Sequence, residues 1–132
     1  VFYLTEELSP DDIVVIHDGN RPMIDCDVLT DVLRVARHNG NAVTSTAYKE
    51  QMFYVDENNR DRTNRYIDRD TIRNVTTPQG YRYSELLTSY DVAFRQNIAI
   101  DMMSYTDTMM VSLGKTLYFA AGSDQNLCLV YK

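Results

Sequence analysis

The chain has 132 residues, a net charge of −6 and a 44% hydrophobic composition, enough apolar material for one domain with a core. The acidic balance argues against nucleic acid as the main partner, so any anionic ligand must be met by a local basic cluster. No apolar run is long enough to span a bilayer and no signal-peptide pattern is present, so no membrane partner is read and a cytoplasmic location is expected.

In chain order, Leu8 to Asp12 reads as a turn, followed by the apolar run Ile13–Ile16, which fits a strand buried on both faces. Asp27 reads as the N-cap of a helix whose inner face carries Leu29, Val32, Leu33 and Ala36, with Asn39-Gly40 as its left-handed stop. Ala42 to Ala47 is a β-branched strand, and the strand–helix–strand order favours a parallel βαβ unit. Two strand-like pieces around Asn58-Asn59 predict a long hairpin over Gln51 to Ile67. Thr76 to Gly80 is expected to be a loop, and Ser84 to cap a helix with Leu86, Leu87, Tyr90, Ala93 and Phe94 on one side. Thr106 or Asp107 starts a short helix with Met109, Met110 and Leu113 inward and Gly114 at its end. Thr116 to Ala121 is the next strand, Gly122 to Asn126 a loop, and Leu127 to Tyr131 a last strand. The whole reads as an open α/β sheet with a protruding β-hairpin, and ligands of such sheets sit outside the carboxyl ends of the strands.

Asp18 to Pro22 lies at such an end. A carboxylate there can hold a divalent metal or a substrate hydroxyl, Gly19 lets the backbone approach a ligand, and Arg21 can fork onto an oxyanion. A tight turn with a surface ion pair accounts for the same residues. Arginine outnumbers lysine ten to three, and Arg60, Arg62, Arg65, Arg69 and Arg73 fall in one short stretch. Arg60, Arg62 and Arg65 fit a solvated hairpin tip, while Arg69 is the better phosphate candidate. Thr77, Thr106 and Asp107 offer hydroxyls and amides of the kind that cradle phosphate, or simple turn and capping roles. His17 reads as structural, and His38 suits a helix C-terminus. The methionine pairs 102–103 and 109–110 read as core filler. Cys26 and Cys128 have no zinc spacing and read as unpaired thiols of a reducing compartment. The five glycines, 19, 40, 80, 114 and 122, are far apart, so no Gly-rich triphosphate loop is present in this sequence.

The succession "VVIHDGNRP", "YIDRDTI", "TTPQGYR", "SYTDTMM", "GSDQNLCL" resembles the carboxyl-terminal part of the cytidylyltransferases that activate 2-C-methyl-D-erythritol 4-phosphate and ribitol 5-phosphate. The resemblance implies part of a Rossmann-like nucleotidyltransferase sheet and a homodimer joined through a β-arm at about residues 49–69. It implies attack of a polyol phosphate on the α-phosphate of CTP with Mg²⁺. By motif, Asp18 and Arg69 carry catalytic roles, with Asp18 also the metal ligand. Gly19, Arg21, Thr77, Thr106 and Asp107 bind substrate, with Arg69 reaching the partner subunit's site.

Residues 1–132 then read as a single partial domain lacking the amino-terminal nucleotide-binding half, inactive on its own. Two departures stand inside the chain. Glu50-Gln51 replaces the element that opens the arm, and Cys128 stands where the family carries a lysine. Such departures suggest a divergent substrate or lost activity. Cys128 favours as the alternative a non-catalytic relative, a dimerising or binding module of the same fold, while the presence of Asp18, Arg21 and Arg69 favours retained binding. A receiver-like signalling domain with Asp18 as acceptor is disfavoured by the long arm and by the lack of an early acidic pair.

Overall fold

The computed structural model describes residues 8–98 and 105–130. Its main sheet has four strands in the order β1, β5, β2, β6, where β1 is Ile13–Ile16, β2 Asn41–Ala47, β5 Arg73–Arg82 and β6 Phe119–Ala121. β5 runs antiparallel to both neighbours, whereas β2 and β6 are parallel. The expected βαβ crossover therefore exists without direct pairing of β1 and β2, because β5 is inserted between them. This also corrects the loop expected at Thr76 to Gly80: those residues form the middle of β5, and Thr77 to Gly80 are buried.

The sheet is covered on both faces. Helix α1, Cys26–Asn39, packs Val32, Val35 and Ala36 against Ala42 and Ala120, with Ile13 alongside. On the other face, α2 (Tyr83–Gln96) and α3 (Thr106–Ser112) bring Leu86, Ala93, Met109 and Met110 onto Val43 and Tyr81, with Val14 and Ile16 alongside. Apolar side chains of β1 thus meet both layers, which is why the run is continuous rather than alternating, but β1 ends the sheet order and its four residues are half-buried rather than buried on both faces as expected. Gly80 allows α1 to approach closely, since a Cβ there would lie 3.1 Å from both Ala36 Cβ and Val32 Cγ1.

Several boundaries differ from expectation. The N-cap of α1 is Asp25, whose carboxylate accepts from Val28 N at 2.8 Å, and Asp27 lies in the first turn. The buried stripe is Val28, Val32, Val35 and Ala36, with Leu29 and Leu33 only half-buried at its margin. Gly40 does end the helix in the left-handed conformation, at φ 90°. α2 begins at Tyr83 without a side-chain cap, so Ser84 lies inside it, and Phe94 is exposed. β6 is shorter than expected. Leu127 to Val130 form no strand, because among the described residues a single backbone–backbone hydrogen bond, from the Leu129 amide to Asn20 O at 2.8 Å, joins this segment to the turn after β1, and one such bond makes no ladder. The pair Met102-Met103 lies outside the described residues.

The hairpin is present as β3 (Met52–Tyr54) and β4 (Arg65–Ile67), a separate two-stranded sheet. Its loop is organised by Asp56, which accepts from the Asn58 and Asn59 amides and from Arg62 Nε. These contacts, the Asn58 amide foremost, lower the Asp56 pKa. Arg65 stacks over the Tyr54 ring at 4.6 Å.

Candidate functional site

The sequence sends three segments to the carboxyl end of β1. The turn 17–21 leaves β1 and closes with Arg21 N donating to Asp18 O at 3.1 Å. Thr77 arrives on the neighbouring strand β5, and its hydroxyl accepts from Asp18 N at 3.0 Å. Asn126 arrives from the tail, donating from Nδ2 to Thr77 O at 2.6 Å. Arg21 closes the circuit, with Nε 3.1 Å from Asp18 Oδ2 and Nη1 2.9 Å from Asn126 O. Asp18, Arg21, Thr77 and Asn126 thus form one ring although they are as much as 108 residues apart, counted from Asp18 to Asn126.

The ring is half-open to solvent. The Asp18 side chain is 47% exposed and that of Arg21 17%, whereas Asn126 is buried. Arg21 Nη2 has no hydrogen-bond partner among the described residues, which leaves one edge of the guanidinium for an oxyanion. His17 supports the turn, its Nε2 lying 2.8 Å from Arg21 O, while its Nδ1 is buried without a partner among the described residues. Gly19 lies on the open side, and a Cβ there would meet nothing within 4 Å. Cys128, in the tail, lies against this turn, exposed, with Sγ accepting from Asn20 Nδ2 at 3.2 Å.

The remaining predicted residues are elsewhere. Arg69 opens a short 3-10 turn, Arg69–Thr71, at the base of the arm, and donates from Nη1 to Lys49 O at 3.4 Å. Lys49 pairs with Asp124, so Arg69 connects to the tail rather than to the ring. Thr106 Oγ1 shares a hydrogen bond with Tyr90 OH at 2.9 Å. Asp107 accepts from Gln79 Nε2 at 3.0 Å, and Gln79 in turn accepts from Tyr81 OH at 2.6 Å. Burial, aided by the Asp107 charge, drives the Tyr81 hydroxyl far above its ordinary range and keeps it a neutral donor. Asp107 also borders a hollow of about 500 Å³ lined by Val43, Val75, Val111, Leu117 and Phe119.

Asn126 and Gln79 are the two linking residues not marked as site candidates from sequence. Both lie inside the motifs "GSDQNLCL" and "TTPQGYR", and that was the available signal.

A magnesium ion finds a limited fit. Among the described residues no group of three or more His, Cys, Asp or Glu side chains converges on a metal site. Asp18 offers one carboxylate, of which Oδ2 is already engaged by Arg21. Magnesium is often held by one or two carboxylates together with substrate phosphates and water, and Asp18 fits as such a single ligand.

The family model described as IspD, 2-C-methyl-D-erythritol 4-phosphate cytidylyltransferase, matches residues 4–132. The chain belongs to this family. It is 53% identical over 129 residues to ribitol-5-phosphate cytidylyltransferase of Lacticaseibacillus paracasei, covering 98% of this chain and 54% of that protein. It is 27% identical to 2-C-methyl-D-erythritol 4-phosphate cytidylyltransferase of Lysinibacillus sphaericus, covering 92% of this chain and 50% of that protein. The chain spans about half the length of the curated relatives it matches.

Among solved structures, it is similar to the 2-C-methyl-D-erythritol 4-phosphate cytidylyltransferase of Thermus thermophilus, with a TM-score of 0.78 at 22% identity over 97% of this chain and 59% of that one. The Francisella tularensis structure gives a TM-score of 0.79 at 21% identity, over 96% and 57%. These likenesses establish the mixed α/β cytidylyltransferase fold with its open sheet. No helix among the described residues is long and apolar enough to cross a membrane.

Proposed function

We propose that this chain is the polyol-phosphate-binding and dimerising part of a CTP-dependent cytidylyltransferase, with ribitol 5-phosphate the favoured polyol phosphate. The observation that carries this reading is the ring at the end of β1, with an arginine edge free beside an exposed carboxylate. In the reaction, a phosphate oxygen of the polyol phosphate bonds to the α-phosphorus of CTP. The α–β phosphoanhydride bond breaks, and pyrophosphate leaves with the electron pair. Such transfers depend on positioning and on charge stabilisation more than on covalent catalysis.

Arg21 would hold a phosphate oxygen through its free Nη2. Asp18 would hold Mg²⁺, which when bound would neutralise the phosphates. Gly19 would leave room for the substrate, and Thr77 would steady the turn that carries Asp18, whereas Thr106 and Asp107, engaged with Tyr90 and Gln79 away from the ring, would reach the substrate only beyond this pocket. Arg69, at the base of the arm, would face the partner's site in a homodimer. The 53% identity to a ribitol-5-phosphate cytidylyltransferase supports the choice of polyol. The scattered glycines support the view that CTP binding needs residues beyond this chain, which alone would be inactive.

Calorimetry of the chain with ribitol 5-phosphate tests the reading. Binding is expected, and Arg21→Ala should abolish it. Absence of binding by the unaltered chain would overturn the substrate assignment. Tight Mg²⁺-dependent CTP binding by residues 1–132 would overturn the half-site assignment. Cys128 favours a second reading, a non-catalytic binding module, because an exposed cysteine stands at the family's lysine position.

A further inference from the structure

We propose that Asn126 is a positioning residue for Arg21 and Asp18, a role that rests on the polyol-phosphate reading above. Asn126 is 5% exposed and is fixed at three points. Its amide donates to Ser123 O at 3.2 Å, its Nδ2 donates to Thr77 O at 2.6 Å, and its own carbonyl accepts from Arg21 Nη1 at 2.9 Å. The side-chain bond anchors the tail on β5, and the anchored tail in turn presents the carbonyl to the guanidinium. Arg21 is therefore held at Nε by Asp18 and at Nη1 by Asn126, two restraints from opposite ends of the chain. Together they fix the plane of the guanidinium and leave Nη2 without a hydrogen-bond partner among the described residues. Without the tail, Asp18 alone would hold it, and a single exposed ion pair restrains a long side chain poorly.

The asparagine is not optimised for packing. Its Oδ1 is buried and has no hydrogen-bond partner among the described residues. A buried acceptor left unmet is costly, and an apolar residue of similar size would avoid that cost. What the apolar residue lacks is the Nδ2 donor that reaches Thr77. Thr77 is the residue whose hydroxyl holds the Asp18 amide, so the same donor steadies the carboxylate and the cation of the site together.

The test uses the whole chain labelled with ¹⁵N-arginine. Arg21 Nε–H should be protected from exchange with water in the unaltered chain. In Asn126→Ala its exchange should quicken at least tenfold, and ribitol 5-phosphate affinity should fall about tenfold, while thermal unfolding stays cooperative. Should Asn126→Ala fail to fold, Asn126→Ser, whose hydroxyl is too short to reach Thr77 O, carries the same two measurements. Unchanged Arg21 exchange in the variant would overturn the positioning role, whatever the ligand does. If Arg21 loosens but neither protein binds the polyol phosphate, the positioning role stands and the substrate assignment fails.

Discussion

Arg21 Nε lies 3.1 Å from Asp18 Oδ2, so the cation and the anion at the end of β1 partly neutralise each other. Either an incoming phosphate or an incoming cation must loosen this pair. Asp18→Asn removes its anionic half, while Arg21 keeps the Asn126 carbonyl and the Asp18 amide keeps Thr77. Ribitol 5-phosphate should therefore bind the variant a few-fold more tightly without Mg²⁺, and added Mg²⁺ should no longer help. In the complete cytidylyltransferase proposed above, turnover should fall about 10²-fold if the charge acts in the transition state. Titrations with and without Mg²⁺ decide the first point, and weaker Mg²⁺-free binding would mean that Asp18 contacts the polyol itself.

Two glycines separate fold from function. Gly80→Ala drives a methyl into Ala36 and Val32, and overpacking of that kind costs about 1–3 kcal/mol. At Gly19 a Cβ meets nothing within 4 Å, and this residue is not among the positive-φ glycines, so Gly19→Ala should leave stability within about 0.5 kcal/mol. Any loss of polyol phosphate binding in Gly19→Ala then reports ligand approach. Thermal melts paired with calorimetry measure both. Full affinity in Gly19→Ala would remove the backbone of the turn from the contact surface.

The contrast between these glycines also shows what was legible in the sequence. The run Ile13–Ile16, the hairpin and the Gly40 stop were readable because each follows from local chemistry: an unbroken apolar run that meets both helix layers although its residues are only half-buried, strand pairing across a polar tip, and a left-handed cap. The strand at Thr76 to Gly80 was not. Thr, Pro and Gly read locally as a turn, and only insertion between β1 and β2 makes them a buried strand. Asp18, Gly19, Arg21 and Thr77 were found as candidates because their residue types carry the chemistry. Asn126 was missed as a partner because its position depends on a contact made 49 residues away, with Thr77, which no periodicity signals. Arg69 was placed at the end of the arm, and it stands there, where β4 gives way to the 3-10 turn that Asp68 caps.

The arm should mediate self-association. Phe53 and Tyr66 are cross-strand partners on one face of the ribbon, 54% and 68% exposed, while Arg65 covers Tyr54 on the other face. A bare two-stranded ribbon is marginal in water, and paired exposed aromatics mark an interface. Light scattering should find a dimer at micromolar concentration, and Phe53→Ser with Tyr66→Ser should shift it to monomer. A clean monomer of the unaltered chain at high concentration would exclude the arm as a dimer element.

Acid should loosen the far edge of the sheet. Asp31 on α1 accepts from the Ala121 amide of β6 at 2.8 Å and pairs with Arg34, and these contacts, the Ala121 amide first, hold its carboxyl below the ordinary range. A lowered folded pKa means that the stabilisation is present above the unfolded value, about 3.9. It is lost as pH falls below that value and through the folded pKa. Asp31→Ala should cost about 1–2 kcal/mol at pH 7, and the difference from the unaltered chain should shrink below about pH 4. Chemical denaturation from neutral pH into this acid range measures it; a difference that stays constant throughout would assign the loss to packing instead.

Cys128 offers the clearest division between an active and a silent relative. Its thiol is exposed against the turn that carries Asp18 and Arg21, held by Asn20 Nδ2 at 3.2 Å, while the neighbouring Leu129 amide fixes the backbone on Asn20 O. It is therefore neither a core residue nor part of a strand. A lysine there would bring an ammonium group over the same turn without displacing packed side chains. Beside charge developing on a phosphate, one such cation is worth roughly 3 kcal/mol, about a hundredfold in rate. Cys128→Lys should accordingly tighten ribitol 5-phosphate binding in a salt-sensitive way. In the complete cytidylyltransferase it should raise cytidylyl transfer at least tenfold. The competing outcome is that the new ammonium pairs with Asp18, whose side chain is about half exposed, and spends its charge there. Combining the substitution with Asp18→Asn separates the two cases, because binding of the polyol phosphate alone should then rise further. No gain in either background would mean that the cationic role lies with another residue and that the Cys128 position no longer faces the phosphates.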